Sequence, residues 1–410
     1  MAALSGVYLG YLAMFQKSVL RHKIAALFLT LALILPMLAA CEGDDGETPA
    51  SAAASVSTKP VKIGAVTSWS GPSGPAGLLA DQIMAMVKTQ VEEKGGILGG
   101  RSVEFLKYDD RGQVADVIGA WQKLVLEENV SAIVFGGGTT ATITASSDAA
   151  EQFKVPLFNF APLPGDLSDR PYTVRCSYSK SALNGQVHDF LLNELKPKTI
   201  ALLCEEEQTM RTFIEPFKKQ MNSAGVEIVY EQYVPFGTNY FSPYLTRIKY
   251  VNPDVLIGYF SQINYYAMIF KQIMDLGGWG NIKFVSPTAA SGNPLITKLP
   301  GAEGTYHWVL WTPGLSYPEA QKFERDFVER YGRLPMPQHI FFYLALRGAI
   351  NAIDLAGSDD PQEIAKAARS GDLHWDTPAG PLTVQPDGET DLKGYITVVK
   401  GGEFIPLVSR

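Results

Sequence analysis

The run Gly136-Gly137-Gly138-Thr139-Thr140 has the residue types and spacing of a small-molecule site. It follows the apolar stretch SAIVFG and leads into TITASSDAAEQF, a strand–turn–helix pattern. Glycines let a ligand approach the backbone, N–H groups at a helix start face it, and threonine hydroxyls add donors and acceptors. Such a turn suits a carboxylate or another polar end group. The plainer reading is a tight turn with a threonine cap, which needs no ligand. No Gly-Lys-Ser/Thr follows, so this is not a phosphate loop. Glu205-Glu206-Glu207 could hold an ammonium group or act as a general base, although such runs more often form solvated loops. Tyr259, Phe260, Tyr265, Tyr266 and Phe270 could line a cleft, but Tyr266 and Phe270, four apart, suit a helix core. Trp308 and Trp311 fall on opposite faces of TYHWVLW, so at most one faces a cleft.

The constellations of catalysis are missing from the sequence. His188, His307, His339 and His374 have no His, Cys or Asp near them at metal-ligand spacing. There is no G-x-S-x-G elbow and no H-E-x-x-H pair. The expectation is a binding protein without metal or cofactor, and a hydrolase is disfavoured.

The elements that must position these residues alternate. VKIGAVTS, SAIVFG, PLFNF, YTVRCS, TIALLC, DVLIGYF and IKFVSP read as strands, nearly continuously apolar and bounded by Gly, Pro or Asn. Between them Leu79, Ile83, Met86, Val87 and Val91 recur at helical spacing, as do Val114, Val117, Ile118, Trp121, Leu124 and Val125. This alternation predicts an α/β fold with open parallel sheets and right-handed crossovers. The tail PLTVQPDGETDLKGYITVVKGGEFIPL reads instead as antiparallel strands joined at Asp-Gly and Gly-Gly. Ligands of such sheets bind beyond the carboxyl ends of the strands. The loops of interest are therefore Ser68–Gly77, Gly136–Thr140, Ala161–Gly165, Glu205–Met210, Phe260–Asn264 and Ser286–Ser291.

Composition narrows the class. The chain has 410 residues, 46% of them hydrophobic, with 35 basic against 42 acidic side chains and three cysteines. It is too apolar to be disordered, too acidic for a nucleic-acid partner, and too poor in cysteine for a disulfide scaffold. Its length favours two lobes. Lys17, Arg21, His22 and Lys23 precede the apolar run IAALFLTLALILPML and then Leu38-Ala39-Ala40-Cys41. These are the parts of a secretory signal. The run from Ile24 to Ala40 is at the short end of the roughly 17–25 residues a membrane span needs, and Pro36 interrupts it. Leu-Ala-Ala-Cys resembles the bacterial lipobox, in which the cysteine thiol takes a lipid. Residues 1–40 are thus expected to be a signal peptide and 41–59 a flexible tether. Cys176 and Cys204 end two different predicted strands and are expected to be buried, unpaired thiols.

VKIGAVTSWSGPSGPAG, EEKGGILGGRSVEFLKYDD, the AIVFGG strand and turn, PLFNFAP and YTVRCS follow one another in a known order. From about residue 60 to 408 the chain resembles the type I periplasmic solute-binding proteins of the branched-chain amino acid (Leu/Ile/Val) ABC transporter group. Ser70–Pro72 and the GGILGG…YDD stretch are its most specific marks. The resemblance implies two Rossmann-like lobes joined by three crossing strands, with solute held between them. Lobe one would comprise 60–177 and 308–380, lobe two 178–305 and 381–410. The implied partners are a small-molecule solute and the permease and ATPase subunits of an importer. The membrane would be reached through the lipid anchor alone, and the protein would act as a monomer. A second function on the same fold is ligand sensing with a separate signalling partner.

The resemblance carries ligand contacts to Trp69, to Thr139 or Thr140, to Ala161 and Leu163, and in lobe two to Thr209, Gln262 and Thr288. Relatives that bind leucine-like solutes have a hydroxyl residue where Leu163 stands, an acid where Thr288 stands and an aromatic near Thr209. The hydroxyl and the acid hold the α-ammonium. Their replacement here predicts a neutral or anionic solute, unless Glu205–Glu207 supplies the missing acid.

Overall fold

The computed structural model describes residues 59–71, 74–136, 139–161, 167–178, 180–206, 208–288 and 292–407. Cys41, Leu163 and Glu207 lie outside the described residues, as do Gly137 and Gly138 of the glycine run. Each of the seven apolar stretches forms a strand. β1 (Val61–Thr67), β3 (Ala132–Phe135), β4 (Leu157–Asn159) and β5 (Thr173–Arg175) join β2 (Val103–Asp109) in one sheet. Its order is β2-β1-β3-β4-β5, parallel throughout. The second sheet holds β6 (Thr199–Glu205), β7 (Glu227–Val234), β8 (Val255–Tyr259), β9 (Lys283–Ser286) and β10 (Tyr306–Val309). These run β7-β6-β8-β9-β10, the same order as the first sheet. β13 (Tyr395–Lys400) and β14 (Glu403–Pro406) extend it antiparallel through the Gly401-Gly402 turn.

Burial explains which strands the sequence displays. β3 and β8 are buried at every position because helices cover both faces. β2 and β7 are edge strands, where VEFLKYD and EIVYEQYV mix exposed and covered positions, so neither reads as a continuous apolar run.

In lobe one, α1 (Pro75–Glu93), α2 (Val114–Gln122) and α3 (Thr140–Phe153) follow β1, β2 and β3. In lobe two, α4 (Lys180–Phe190) precedes β6, and α5 (Gln208–Ser223), α6 (Ser242–Val251) and α7 (Ile263–Asp275) follow β6, β7 and β8. After β10 the chain returns to the first sheet. There α8 (Pro318–Tyr331) packs on α1, and α9 (Pro337–Ala356) packs on α1, β3 and β4. It then runs through α10 (Pro361–Ala368), β11 (His374–Thr377) and β12 (Gly380–Thr383) before returning to the second sheet as β13. The chain thus passes between the sheets after β5, after β10 and before β13. Trp308 and Val309 still pair with β13, so the second sheet extends past residue 305, where the sequence reading ended that part of lobe two.

Two expectations need correction, for the tail strands and for Glu205. The strand before Asp387-Gly388 pairs with β11 rather than with the strand after that turn, which closes only the single bridge Val384–Thr390. Trp308 and Trp311 are both fully buried, within the expectation that at most one faces a cleft. Glu205 is fully enclosed, whereas Glu206 is exposed as a solvated loop should be. Cys176 and Cys204 are buried and unpaired, and burial pushes both thiols up. Tyr266 and Phe270 are helix core.

Candidate functional site

A sheet of order 2-1-3-4-5 has its switch point between the first and third strands, and ligands bind beyond the strand ends there. In lobe one that point lies between the Ser68 loop and Gly136. Thr67 Oγ1 donates to the Gly136 carbonyl at 2.6 Å. A Cβ on Gly136 would fall within the ring of Phe160, so only glycine fits. Thr139 caps α3 through a reciprocal pair. Its hydroxyl accepts from the Thr142 N–H, and its own N–H donates to Thr142 Oγ1 at 2.9 Å. The capping reading is therefore realised at Thr139, and half-buried Thr140 opens the helix. The N-terminal end of α3 carries the positive end of its dipole toward this turn.

Carboxylates and an amide fix the neighbouring loops. Asp109 Oδ1 accepts from the N–H groups of Trp69 (2.8 Å), Arg111 (3.0 Å) and Ser70 (3.3 Å). Partial burial works against its ionisation, but hydrogen bonds from Ser70, Arg111 and Trp69 outweigh that and hold the carboxyl below the usual range. Asp110 Oδ1 accepts from the Ser68 hydroxyl at 2.6 Å and the Gly112 N–H at 2.8 Å. The Asn159 side chain closes on both backbone groups of Ala161, accepting its N–H at 3.0 Å and donating to its carbonyl at 2.8 Å. The Trp69 indole donates to Asp81 at 3.0 Å and lies against Gly77, with Lys107 over its ring.

Lobe two finishes its strand exits with a different set. Glu205, at the end of β6, accepts the Ser261 N–H on Oε2 at 2.9 Å, while buried Oε1 has no hydrogen-bond partner among the described residues. Nearby Tyr265 accepts the Gly237 N–H at 2.7 Å, and burial pushes its phenol up. The Tyr266 hydroxyl lies 2.6 Å from Thr288 Oγ1 and 2.7 Å from Ser286 Oγ. Thr288 donates onward to the Phe260 carbonyl at 2.9 Å, and Ser286 to that of Gly258 at 3.1 Å. Gln262 is the exposed N-cap residue of α7, and Thr209 is the second residue of α5. Glu206 pairs with Arg211 at 3.1 Å.

The structure thus brings Trp69, Thr139, Thr140 and Ala161 to the strand exits of lobe one, and Thr209, Gln262 and Thr288 to those of lobe two. Sequence reasoning missed the jobs of Asp109, Asp110 and Asn159. The Tyr-Asp-Asp run was visible as a motif, but its role as a clasp was not. A line of rings was also missed, at the first passage between lobes. Phe160 lies 6.4 Å from Phe341, stacked at 27°, and 4.4 Å from Phe342. Tyr178 meets Phe341 edge-on at 6.4 Å and Trp308 at 4.4 Å. Gln186 ties these passages together. Its Oε1 accepts from the Trp308 indole at 3.0 Å and the Gly394 N–H at 2.9 Å, and its Nε2 donates to the Gly394 carbonyl at 2.7 Å. Arg175, almost wholly buried, holds Glu389 through two hydrogen bonds of 2.7 and 2.9 Å.

His307 and His339 are buried among aromatic rings, and burial lowers them to about 3 and about 4, so both are neutral near pH 7. Among the described residues no three His, Cys, Asp or Glu side chains form a metal-binding group.

Two sheets of one strand order, linked by three passages, define a type I solute-binding fold. The chain belongs to the periplasmic binding protein family, which it matches over residues 60–403. It is 25% identical over 347 residues to the Leu/Ile/Val/Thr-binding protein of Salmonella typhimurium, covering 82% of this chain and 89% of that one. Its fold is similar to that of an ABC transporter solute-binding protein from Rhodopseudomonas palustris BisB5 in complex with 3,4-dihydroxybenzoic acid. The TM-score is 0.72 at 22% identity, over 86% of this chain and 96% of that chain. It is similar also to the branched-chain amino acid transporter substrate-binding protein of Streptococcus pneumoniae in complex with isoleucine. There the TM-score is 0.72 at 18% identity, over 85% of this chain and 100% of that chain. The family is one of solute binders rather than enzymes, and it implies export to the periplasm.

Proposed function

We propose that this protein is the solute-binding lipoprotein of an ABC importer, acting as a monomer outside the cytoplasmic membrane. It captures a small organic acid by closing its lobes and hands it to a permease driven by ATPase subunits. The observation that carries the solute assignment is the way acidic groups are used at the strand exits. The turn before α3 favours an anion. In lobe two Glu205 is enclosed, Glu206 is paired with Arg211, and Thr288 stands within a hydroxyl network. A buried ammonium without an anionic partner costs several kcal/mol. On this reading the solute bears a carboxylate and no ammonium. This favours the kind of acid bound by the Rhodopseudomonas neighbour over the amino acids named for the Salmonella relative. Glu205, whose buried Oε1 has no hydrogen-bond partner among the described residues, is the acid that would hold an ammonium were leucine to bind.

Thermal-shift screening of the purified protein tests this reading. An amine-free carboxylic acid at 100 times its Kd should add about 2.7 kcal/mol of stability. Tight binding of leucine would overturn the charge assignment. A protein indifferent to all amino acids, amides and organic acids would overturn the importer role. The anchor is tested separately, since Cys41→Ser should abolish labelled fatty-acid incorporation. Label retained in that variant would refute lipidation at Cys41.

A further inference from the structure

Resting on the reading of a lipid-anchored protein outside the membrane, we infer that the loop between β7 and α6 is a second membrane contact, which seats Phe236 and Tyr240 in the interfacial layer of a zwitterionic bilayer. The two rings are 66% and 63% exposed, at a corner of lobe two next to its edge strand. From Gln232 to Thr246 the sequence has no charged residue, although 19% of the whole chain is charged. Aromatic rings with an apolar body and, in tyrosine, a polar tip suit the boundary between headgroups and hydrocarbon. The corresponding loop of lobe one, after β2, holds Asp110 and Arg111 and no ring, so the two lobes differ at this corner.

The loop is also built to leave water. A backbone polar group taken toward lipid without a partner is costly, and here much of the backbone is already bonded within the lobe. Tyr265 Oη accepts the Gly237 N–H at 2.7 Å, and the Pro235 carbonyl accepts the Thr238 N–H at 3.1 Å and its hydroxyl at 2.7 Å. Gln272 accepts the Phe241 and Ser242 N–H groups at 2.6 and 2.8 Å and donates to the Asn239 carbonyl at 2.9 Å. Phe241 is buried edge-on against Phe260 and Tyr265, at 5.9 and 6.0 Å, so the loop is fixed from beneath while Phe236 and Tyr240 stay in the open. A protein partner is selected through charges that set its register, and this stretch offers none. A zwitterionic lipid surface asks for no charge, and the excess of 42 acidic over 35 basic side chains disfavours an anionic one.

The test uses the purified protein bound to phosphatidylcholine vesicles through its own lipid anchor, with a nitroxide label at Tyr240→Cys or at Tyr250→Cys. Tyr250, 80% exposed, lies at the other end of α6, and Cys176 and Cys204 are buried away from the labelling reagent. Power saturation reads collisions of the label with oxygen, which concentrates in lipid, and with a water-soluble nickel chelate. On vesicles the oxygen-to-nickel ratio should rise severalfold at position 240 and stay unchanged at position 250. Phe236→Ser should bring the ratio at 240 down toward that at 250, and Phe236→Trp should keep it high. On vesicle-bound protein, a label at 240 as open to nickel as the one at 250 overturns the membrane contact and leaves the anchor standing. Loss of both kinds of collision at 240 means that a second copy covers the loop, which overturns the lipid assignment. Protein that stays in solution overturns the anchor and this contact together.

Discussion

The two lobes share one strand order and finish their strand exits with different sets of side chains. In lobe one, side chains hold backbone: Asp109 gathers three N–H groups, Asp110 takes Ser68 and Gly112, and Asn159 closes on Ala161. In lobe two a hydroxyl network, Tyr266–Thr288–Ser286, bonds within itself and to strand-end carbonyls, and Glu205 and Tyr265 take one N–H each. The first arrangement leaves a shaped backbone turn and a helix dipole as the means of binding. The second satisfies its hydroxyls internally, while the enclosed Glu205 keeps one oxygen without a hydrogen-bond partner among the described residues. Equivalent topology therefore does not give equivalent chemistry.

The sharpest way to break this contrast is steric. Gly136→Ala drives a Cβ into Phe160 and should cost about 3 kcal/mol in urea unfolding, the upper range for overpacking. Gly258→Ala in β8, whose Cβ would meet the tip of Phe284 at 2.7 Å, should cost about 1–2 kcal/mol because a ring edge can shift. Equal costs would show that the lobe-one turn is no more tightly built than lobe two.

Tyr266→Phe removes the hydroxyl at the centre of the lobe-two network and should destabilise by about 2 kcal/mol, measured by the same unfolding curves. It should leave solute affinity within about twofold if that network is internal support; a larger loss would make it part of the site. Thr140→Ala should do the reverse. It should weaken solute binding by about 0.5–1.5 kcal/mol for a neutral hydrogen bond, and by more for an anionic solute.

The smallest effect concerns acid. The folded-state pKa of Asp109 lies below its unfolded value, so its contribution is present at neutral pH. That contribution is lost as pH falls below about 4, through the folded value. The stability difference between the unsubstituted protein and Asp109→Asn should therefore shrink between pH 5 and pH 3. A constant difference would mean that the clasp does not depend on charge.

Sequence legibility follows the same divide. β1, β3 and β8 announced themselves because covering helices demand apolar side chains almost throughout. β2 and β7 did not, because an edge strand alternates like a loop. Glu205 sat in a run of three acids, and nothing local shows that one of them is enclosed. The Thr139–Thr140 turn was visible because a strand, glycines, threonines and a helix follow in a few residues. The Phe160–Phe341–Tyr178 line of rings was not, because residues so far apart along the chain meet only once the passages between lobes are made.

Gln186 has a mechanical consequence. One amide satisfies both the N–H and the carbonyl of Gly394 just before β13 begins. At that point the passage needs no neighbouring strand to complete its hydrogen bonding. The fit around it is close, since a Cβ on Gly394 would fall 2.3 Å from the Trp308 ring. Gln186 thus acts as a bracket that fixes where the returning chain meets Trp308, so the start of β13 is set by a side chain before its ladder begins.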